Sequence, residues 1–326
     1  MSPQVTFKST EDKAPAPAGV PAPRLRDAVR SPFVPSHGTA PSELPPAPVG
    51  LEDLGPAAAL RVVGPEREIW LQGMQSNDLA AAPLGGAVEG TFLGGKGRLV
   101  AEALLWRYAG EVIITTDPAR LEKLKAHLDK LLIMEDAELQ DAQGLRRLRW
   151  FPGVTSFEAE GFEGPLGFEL LLPEAKAQEL LAAVPERAQG IEAYRIALGV
   201  ARFGLDLDEE TTPIEAGLDR MISFWKGCYV GQEVVAMATY RGRVAWNLVR
   251  LEVEGAAPAL GSRLDPARGA KGRVTSAVRV GAVSVLLGYV HKESIVPGAL
   301  VLLEDGRAAR VLGLPFGSKP GGGVCA

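Results

Sequence analysis

A thiol acts as a nucleophile or ligand only as the thiolate, and a nearby cation or the positive end of a helix lowers its pKa. Both ingredients surround Cys228 in the stretch KGCYVGQE, residues 226–233: Lys226 stands two positions before it, and a helix-compatible run starts after Gly231. Gly227 lacks a Cβ, so backbone or ligand can come close there. Gln232 and Glu233 offer an amide and a carboxylate to a polar ligand, and Glu233 is a candidate base. Trp225 has a flat face for stacking on a heterocycle, or for packing in the core. Spacing alone leaves two readings of Cys228: a working thiol, or the small buried apolar residue that most free cysteines are. No histidine lies near it in sequence, so a Cys-His nucleophile is poorly supported.

Residue counts remove other chemistries. Two cysteines, Cys228 and Cys325, make neither a disulfide framework nor the four-thiolate set an iron–sulfur cluster usually takes. Structural zinc fails too, because His37, His127 and His291 are far from either cysteine in sequence. The turn Gly94-Gly95-Lys96-Gly97 lacks phosphate-loop spacing and reads as a hairpin. Asn77-Asp78 reads as a turn or cap. A net charge of −5 argues against direct nucleic-acid binding, although Arg241, Arg243 and Arg250 form a local basic strip. No apolar run is long enough to span a membrane and no secretory layout opens the chain, so the expected location is cytoplasmic, with no membrane partner.

The elements that must hold these residues follow from periodicity. With 46% hydrophobic and 23% charged residues, the 326-residue chain reads as an ordinary globular protein of two or three domains. Residues 1–48, rich in Pro and Ala, read as an extension that is disordered or lies on the surface. Folding begins near Ala58, where the strand-like Ala-Leu-Arg-Val-Val, residues 59–63, precedes a helix opened by Gly64-Pro65. Segments 87–92, 98–108 and 111–115 form an antiparallel meander. Asp117-Pro118 starts a helix with leucines at 121, 124, 128, 131 and 132. Strands 146–150 and 167–172 and helices 174–184 and 191–200 follow. Thr212-Pro213-Ile214-Glu215 reads as a capping box opening a helix through Leu218 and Met221. From Val244, five short strands predict a small C-terminal barrel or sandwich, with Asp305-Gly306 as a hairpin turn. Strands and helices do not alternate strictly, so the fold class expected is α+β with largely antiparallel sheets.

The run KGCYVGQEVVA, preceded by Pro213-Ile214-Glu215 and Ile222-Ser223-Phe224 and followed by Tyr240-Arg241-Gly242, resembles the signature of the YgfZ family of folate-binding proteins. These are relatives of the glycine-cleavage T-protein (GcvT, aminomethyltransferase). Further matching pieces are Leu71-Gln72-Gly73 with Ser76-Asn77-Asp78, Gly97-Arg98, Gly167-Phe168-Glu169, Tyr194-Arg195-Ile196 with Gly199, and Val274-Thr275-Ser276-Ala277. Together they cover roughly residues 55–315. The resemblance implies a GcvT-like three-part fold around a folate-sized channel, tetrahydrofolate or a derivative as cofactor, and iron–sulfur enzymes as clients, including tRNA-modifying ones. It implies Cys228 as the active residue with Lys226 beside it. Trp225, Gly227, Tyr229, Gly231, Gln232, Glu233, Arg195, Asn77 and Asp78 are the implied folate-side residues.

Two departures from the family pattern stand out. Ala197 replaces the glutamate that pairs with the pterin in T-proteins, and Met237 stands where an arginine is usual. Ala101-Glu102 occupy the place of the T-protein aspartates, with Glu102 a possible substitute for one. The expected organisation is an extension over 1–48, a folate-binding region over 49–243 with a second subdomain near 141–190, a C-terminal barrel over 244–320 and a flexible tail over 321–326. Three functions are weighed: a thiol-based accessory factor, a folate-dependent aminomethyl transferase, and a non-catalytic ligand-binding module.

Overall fold

A computed structural model describes residues 5–6, 38–151, 157–241, 244–269 and 271–318. The tail 321–326, with Cys325, lies outside them, as does most of the Pro/Ala-rich extension. Val5–Thr6 (β1) pairs in parallel with Phe157–Glu158 (β9). Every other strand pair is antiparallel, as the meander pattern predicts.

Three sheets organise the chain. The first runs Ala87–Leu93 (β4), Leu99–Arg107 (β5), Val112–Thr116 (β6), Ala59–Val63 (β3) and Glu138–Ala142 (β7). The second runs Phe162–Gly164 (β10), Gly167–Pro173 (β11), Leu145–Phe151 (β8) and Gly50–Pro56 (β2). The third runs Arg273–Val280 (β13), Val283–His291 (β14), Trp246–Glu254 (β12), Ala308–Gly313 (β16) and Leu300–Leu302 (β15).

Each sheet buries one face under a helix whose apolar residues repeat at helical spacing. Trp70 and Leu71 of Arg67–Met74 (α1), with Leu124 and Leu128 of Leu121–Asp129 (α2), cover Val62, Leu105 and Ile114. Burying such a side chain stabilises the fold by about 1.5–3 kcal/mol. Leu180 of Glu174–Ala183 (α3) covers Leu148, Trp150 and Leu170. Ile196 and Ala197 of Ile191–Leu198 (α4) cover Leu248, Leu287 and Tyr289. The opposite face of the second sheet turns inward: Leu171 packs with Leu104 and Trp106 of the first sheet, and Phe151 with Leu198 and Val200 beside the third. The three sheets therefore meet at a junction.

The structure corrects two expectations. The C-terminal strands form an open five-stranded sheet; β13 and β15 do not pair with each other, although the isolated bridges Arg263 to Arg273 and Leu264 to Leu303 narrow the gap. The capping box does not open a helix. Thr212 N does donate to Glu215 Oε2 at 3.3 Å, but Gly217 takes φ +68 and only a 3-10 turn, Asp219–Met221, follows. Gly50–Pro56 is a further strand at the start of the expected 49–243 region, its register with β8 shifting between Asp53 and Gly55, and residues 41–43 lie along the third sheet, Ser42 donating to Glu252 and Glu43 accepting from Ala282 N.

Candidate functional site

The KGCYVGQE loop is pinned at both ends. On entry, Ser223 N donates to Ser76 O at 3.0 Å, and Ser223 Oγ accepts from Lys226 N. On exit, Val230 N donates to Gly73 O, and Tyr229 sits in a cluster with Leu93, Leu99, Met221 and Val235, where burial pushes its hydroxyl up to about 12. Gly231 has φ +85, and a Cβ there would lie 2.8 Å from Leu93 Cβ and 3.0 Å from Gly94 O. Only glycine lets Gln232–Arg241 (α5) start this close to the β4–β5 turn. Between these anchors Gly227 and Cys228 are exposed. Of the two readings the residues left open, the buried apolar cysteine does not hold.

Lys226 is turned toward α1. Its Nζ donates to the carbonyls of Gln72, Gln75 and Asn77 at 2.5, 2.6 and 2.7 Å and lies 5.2 Å from the Tyr229 ring centroid. All three ammonium donors are thereby used, closing the open end of α1, whose last carbonyls lack helical partners. Burial pushes Lys226 down to about 8, with the Asp78 carboxylate pulling the other way. In this arrangement its distinct contribution is to position the loop.

The other residues expected on the folate side divide. Trp225 is 82% exposed, so its core-packing reading does not hold. Gln232 is half-buried at the start of α5 and Glu233 is exposed. A Cβ at Gly227 would meet nothing within 4 Å, so no neighbour requires glycine there. Asn77 Nδ2 donates to the carbonyls of Glu89 and Arg220, and Asp78 Oδ1 accepts from Gln72 Nε2 and Ala80 N, which makes these residues a turn and a cap. Arg195 is buried with all five donors spent, on Glu192, Asp206, Ser276 and the Val200 carbonyl. It ties α4 to β13. Ala197 lies in the apolar cluster between α4 and the third sheet, and Met237 is half-buried on α5.

The polar groups without a side-chain partner among the described residues include three at the three-sheet junction. Glu102, opposite Thr91 on β5, has no side-chain hydrogen bond among the described residues. Burial pushes its carboxyl up to about 8; Arg220 pulls it down, and Glu89, Asp117 and Asp206 push it further up. On the facing wall, Arg147 and Arg149 of β8 share Glu169 at 2.6 and 2.8 Å, and Arg149 also bonds Glu52 at 2.7 Å. Burial alone would raise Glu169, but the two guanidinium groups hold it at about 2. The sequence reading did not single out these arginines. Alternation with Leu148 places them on one face of β8, but nothing local says that this face turns inward.

Folate-type recognition needs a carboxyl group and hydrogen-bond donors around a flat ring. Ala197 supplies none, yet the junction carries both kinds, the Glu102 carboxyl and the Nε–H groups of Arg147 and Arg149 that have no partner among the described residues, so in chemical type the residues present fit such a ligand.

No protein-family model matches the chain. It is 25% identical over 311 residues to the aminomethyltransferase of Rubrobacter xylanophilus, covering 82% of each chain. It is 26% identical over 275 residues to the mouse protein named "Iron-sulfur cluster assembly factor IBA57, mitochondrial", covering 73% of this chain and 76% of that one. Among solved structures, the glycine cleavage system aminomethyltransferase T of Bartonella henselae superposes with a TM-score of 0.68 at 19% identity, over 82% of this chain and 86% of that one. The chain thus has the aminomethyltransferase fold, and in sequence it is similar both to those enzymes and to an iron–sulfur cluster assembly factor.

Proposed function

We propose that the protein is a YgfZ-type accessory factor that supports the assembly or repair of iron–sulfur enzymes, tRNA-modifying ones among them, through the Cys228 thiol, with a tetrahydrofolate derivative as its small-molecule partner. The observation that carries this reading is the exposure of Cys228 at the tip of a loop whose flanks are fully anchored. A buried structural cysteine has no need of such a mount. An exposed, rigidly held thiol suits transient contact with a client, because little ordering entropy is lost on docking. The similarity to the mouse assembly factor supports the iron–sulfur part. The fold and the free groups at the junction support the folate part.

A second reading, folate-dependent aminomethyl transfer, is favoured by one observation. Glu102 is a carboxyl that burial keeps protonated near neutral pH, as a group that passes a proton to a bound substrate would be. Complementation of a strain lacking the gene separates the two. On the accessory-factor reading, Cys228→Ala and Cys228→Ser lower iron–sulfur enzyme activities at least about tenfold while Glu102→Gln retains most of them, and the purified protein shows no aminomethyl turnover with tetrahydrofolate. Full rescue by Cys228→Ala sinks the thiol role. Turnover abolished by Glu102→Gln establishes the second reading.

A further inference from the structure

The inward face of the second sheet carries a ladder, Glu52–Arg149–Glu169–Arg147, across β2, β8 and β11. Leu148 and Trp150 alternate with these arginines and point the other way, into the α3 cluster. At either end of the inward face, Leu171 meets the first sheet and Phe151 meets the α4 region, so the ladder lies between the contacts that form the junction. Arg149 spends both terminal nitrogens on carboxylates, Nη1 on Glu52 and Nη2 on Glu169, and Arg147 spends Nη2 on Glu169. Both Nε–H groups are buried with no hydrogen-bond partner among the described residues. A buried donor without an acceptor loses its hydration and gains nothing, and two on one face are an unusual concentration.

The charge balance says what kind of acceptor belongs there. Two guanidinium groups and two carboxylates leave the ladder neutral, so it holds no net positive charge for an incoming anion. Beyond it, two of the acids that act on Glu102 are themselves paired, Glu89 with Arg220 and Asp206 with Arg195, and so add no net positive charge. An anion brought here would be desolvated without a net opposite charge to compensate it. A neutral oxygen acceptor takes the two donors without that cost.

We infer that Arg147 and Arg149 form a specificity-determining pair that reads the uncharged oxo group of a flat heterocyclic ligand at the three-sheet junction. The inference deepens the folate-type reading and rests on it for the ligand class. Glu169, shared by both guanidinium groups, sets the orientation of their Nε–H edges. An amino group in place of the oxo group would point donors at donors and be rejected, because a site built around one hydrogen-bonding pattern leaves its own groups unpaired with the opposite pattern.

The test is isothermal titration of the full-length protein with two matched pairs, in buffer alkaline enough to keep the amino compounds uncharged. Folic acid is compared with its 4-amino analogue aminopterin, and guanosine with 2,6-diaminopurine riboside. Each pair differs by one oxo-to-amino exchange. The oxo member is expected to bind at least about tenfold more tightly in the wild type. Arg147→Lys and Arg149→Lys keep a cation beside Glu169 but remove the Nε–H, and should bring the ratio to about one; thermal melts check that both variants fold. A wild-type ratio near one overturns the inference without any variant, as does a ratio that folded variants preserve; an ordered water alone then fills the site. Folic acid binding without oxo preference rejects the inference and leaves the folate reading standing. Preference within the purine pair alone, with neither folate compound bound, supports the inference and rejects the folate reading. Binding of none of the four rejects both.

Discussion

At the residue scale, Glu102 and Lys226 carry opposite lessons about burial. Each charged form loses hydration, so the carboxyl is pushed up to about 8 and the ammonium down to about 8. Lys226 has three carbonyl acceptors, while the Glu102 carboxyl has no hydrogen-bond partner among the described residues. An acid whose folded pKa lies above its unfolded value of 4.5 contributes stability that is present below 4.5 and is lost as pH rises through about 8. Glu102→Gln, a permanent analogue of the protonated acid, should therefore melt close to wild type in mildly acidic buffer. Above the folded pKa it should melt higher than wild type by roughly 2–4 °C or more. Thermal melts across that range check this, and a variant that loses stability equally at all pH values would show that Glu102 has a packing role instead.

At the element scale, the approach of α5 to the β4–β5 hairpin depends on glycine on both sides of the contact. Gly231 meets Leu93 and Gly94, while Gly97, at φ +68, would bring a Cβ within 2.6 Å of Val234 Cβ. Neither spot has room for a side chain, and both backbones take a left-handed conformation that costs other residues about 1–2 kcal/mol. Gly231→Ala should destabilise the protein by roughly 2 kcal/mol or more and shift the start of α5 away from the hairpin. Gly227→Ala, where a Cβ meets nothing, should cost less than about 0.5 kcal/mol. Urea denaturation of the two variants gives the comparison. Equal losses would mean that the whole loop, and not its anchor, demands glycine.

At the scale of the whole molecule, the ladder on the second sheet links stability to pH. Glu169 is depressed from 4.5 to about 2 in the folded protein, so its contribution is fully present above 4.5 and is lost as pH falls toward 2. The shift corresponds to about 3 kcal/mol at neutral pH. Glu169→Gln should therefore lower stability at neutral pH and flatten its dependence on pH below 4.5, as read from denaturation midpoints. A variant with the same acid dependence as wild type would show that the ladder is not what acid breaks.

Much of this was legible along the chain, because much of it is local. The meander, the leucine spacing of α2, the α3 and α4 segments and the Asp305-Gly306 turn follow from short-range periodicity and turn chemistry, and the observed elements match them within a few residues. The glycine-flanked cysteine motif was equally visible, and with it the likeness to the aminomethyltransferases. Other features depended on partners distant in sequence. Lys226 looked like the companion of its near neighbour Cys228, but its acceptors are about 150 residues away in sequence, at the end of α1. Arg195 looked ligand-facing until Asp206 and Ser276 took its donors. Arg147 and Arg149 were not singled out, since a strand's alternation separates its two faces but cannot say which one a second sheet will cover. The sequence by itself determined which residues could carry chemistry and which local elements hold them. Only the tertiary structure decided which of their hydrogen bonds were already spent, because that depends on groups brought together from across the chain.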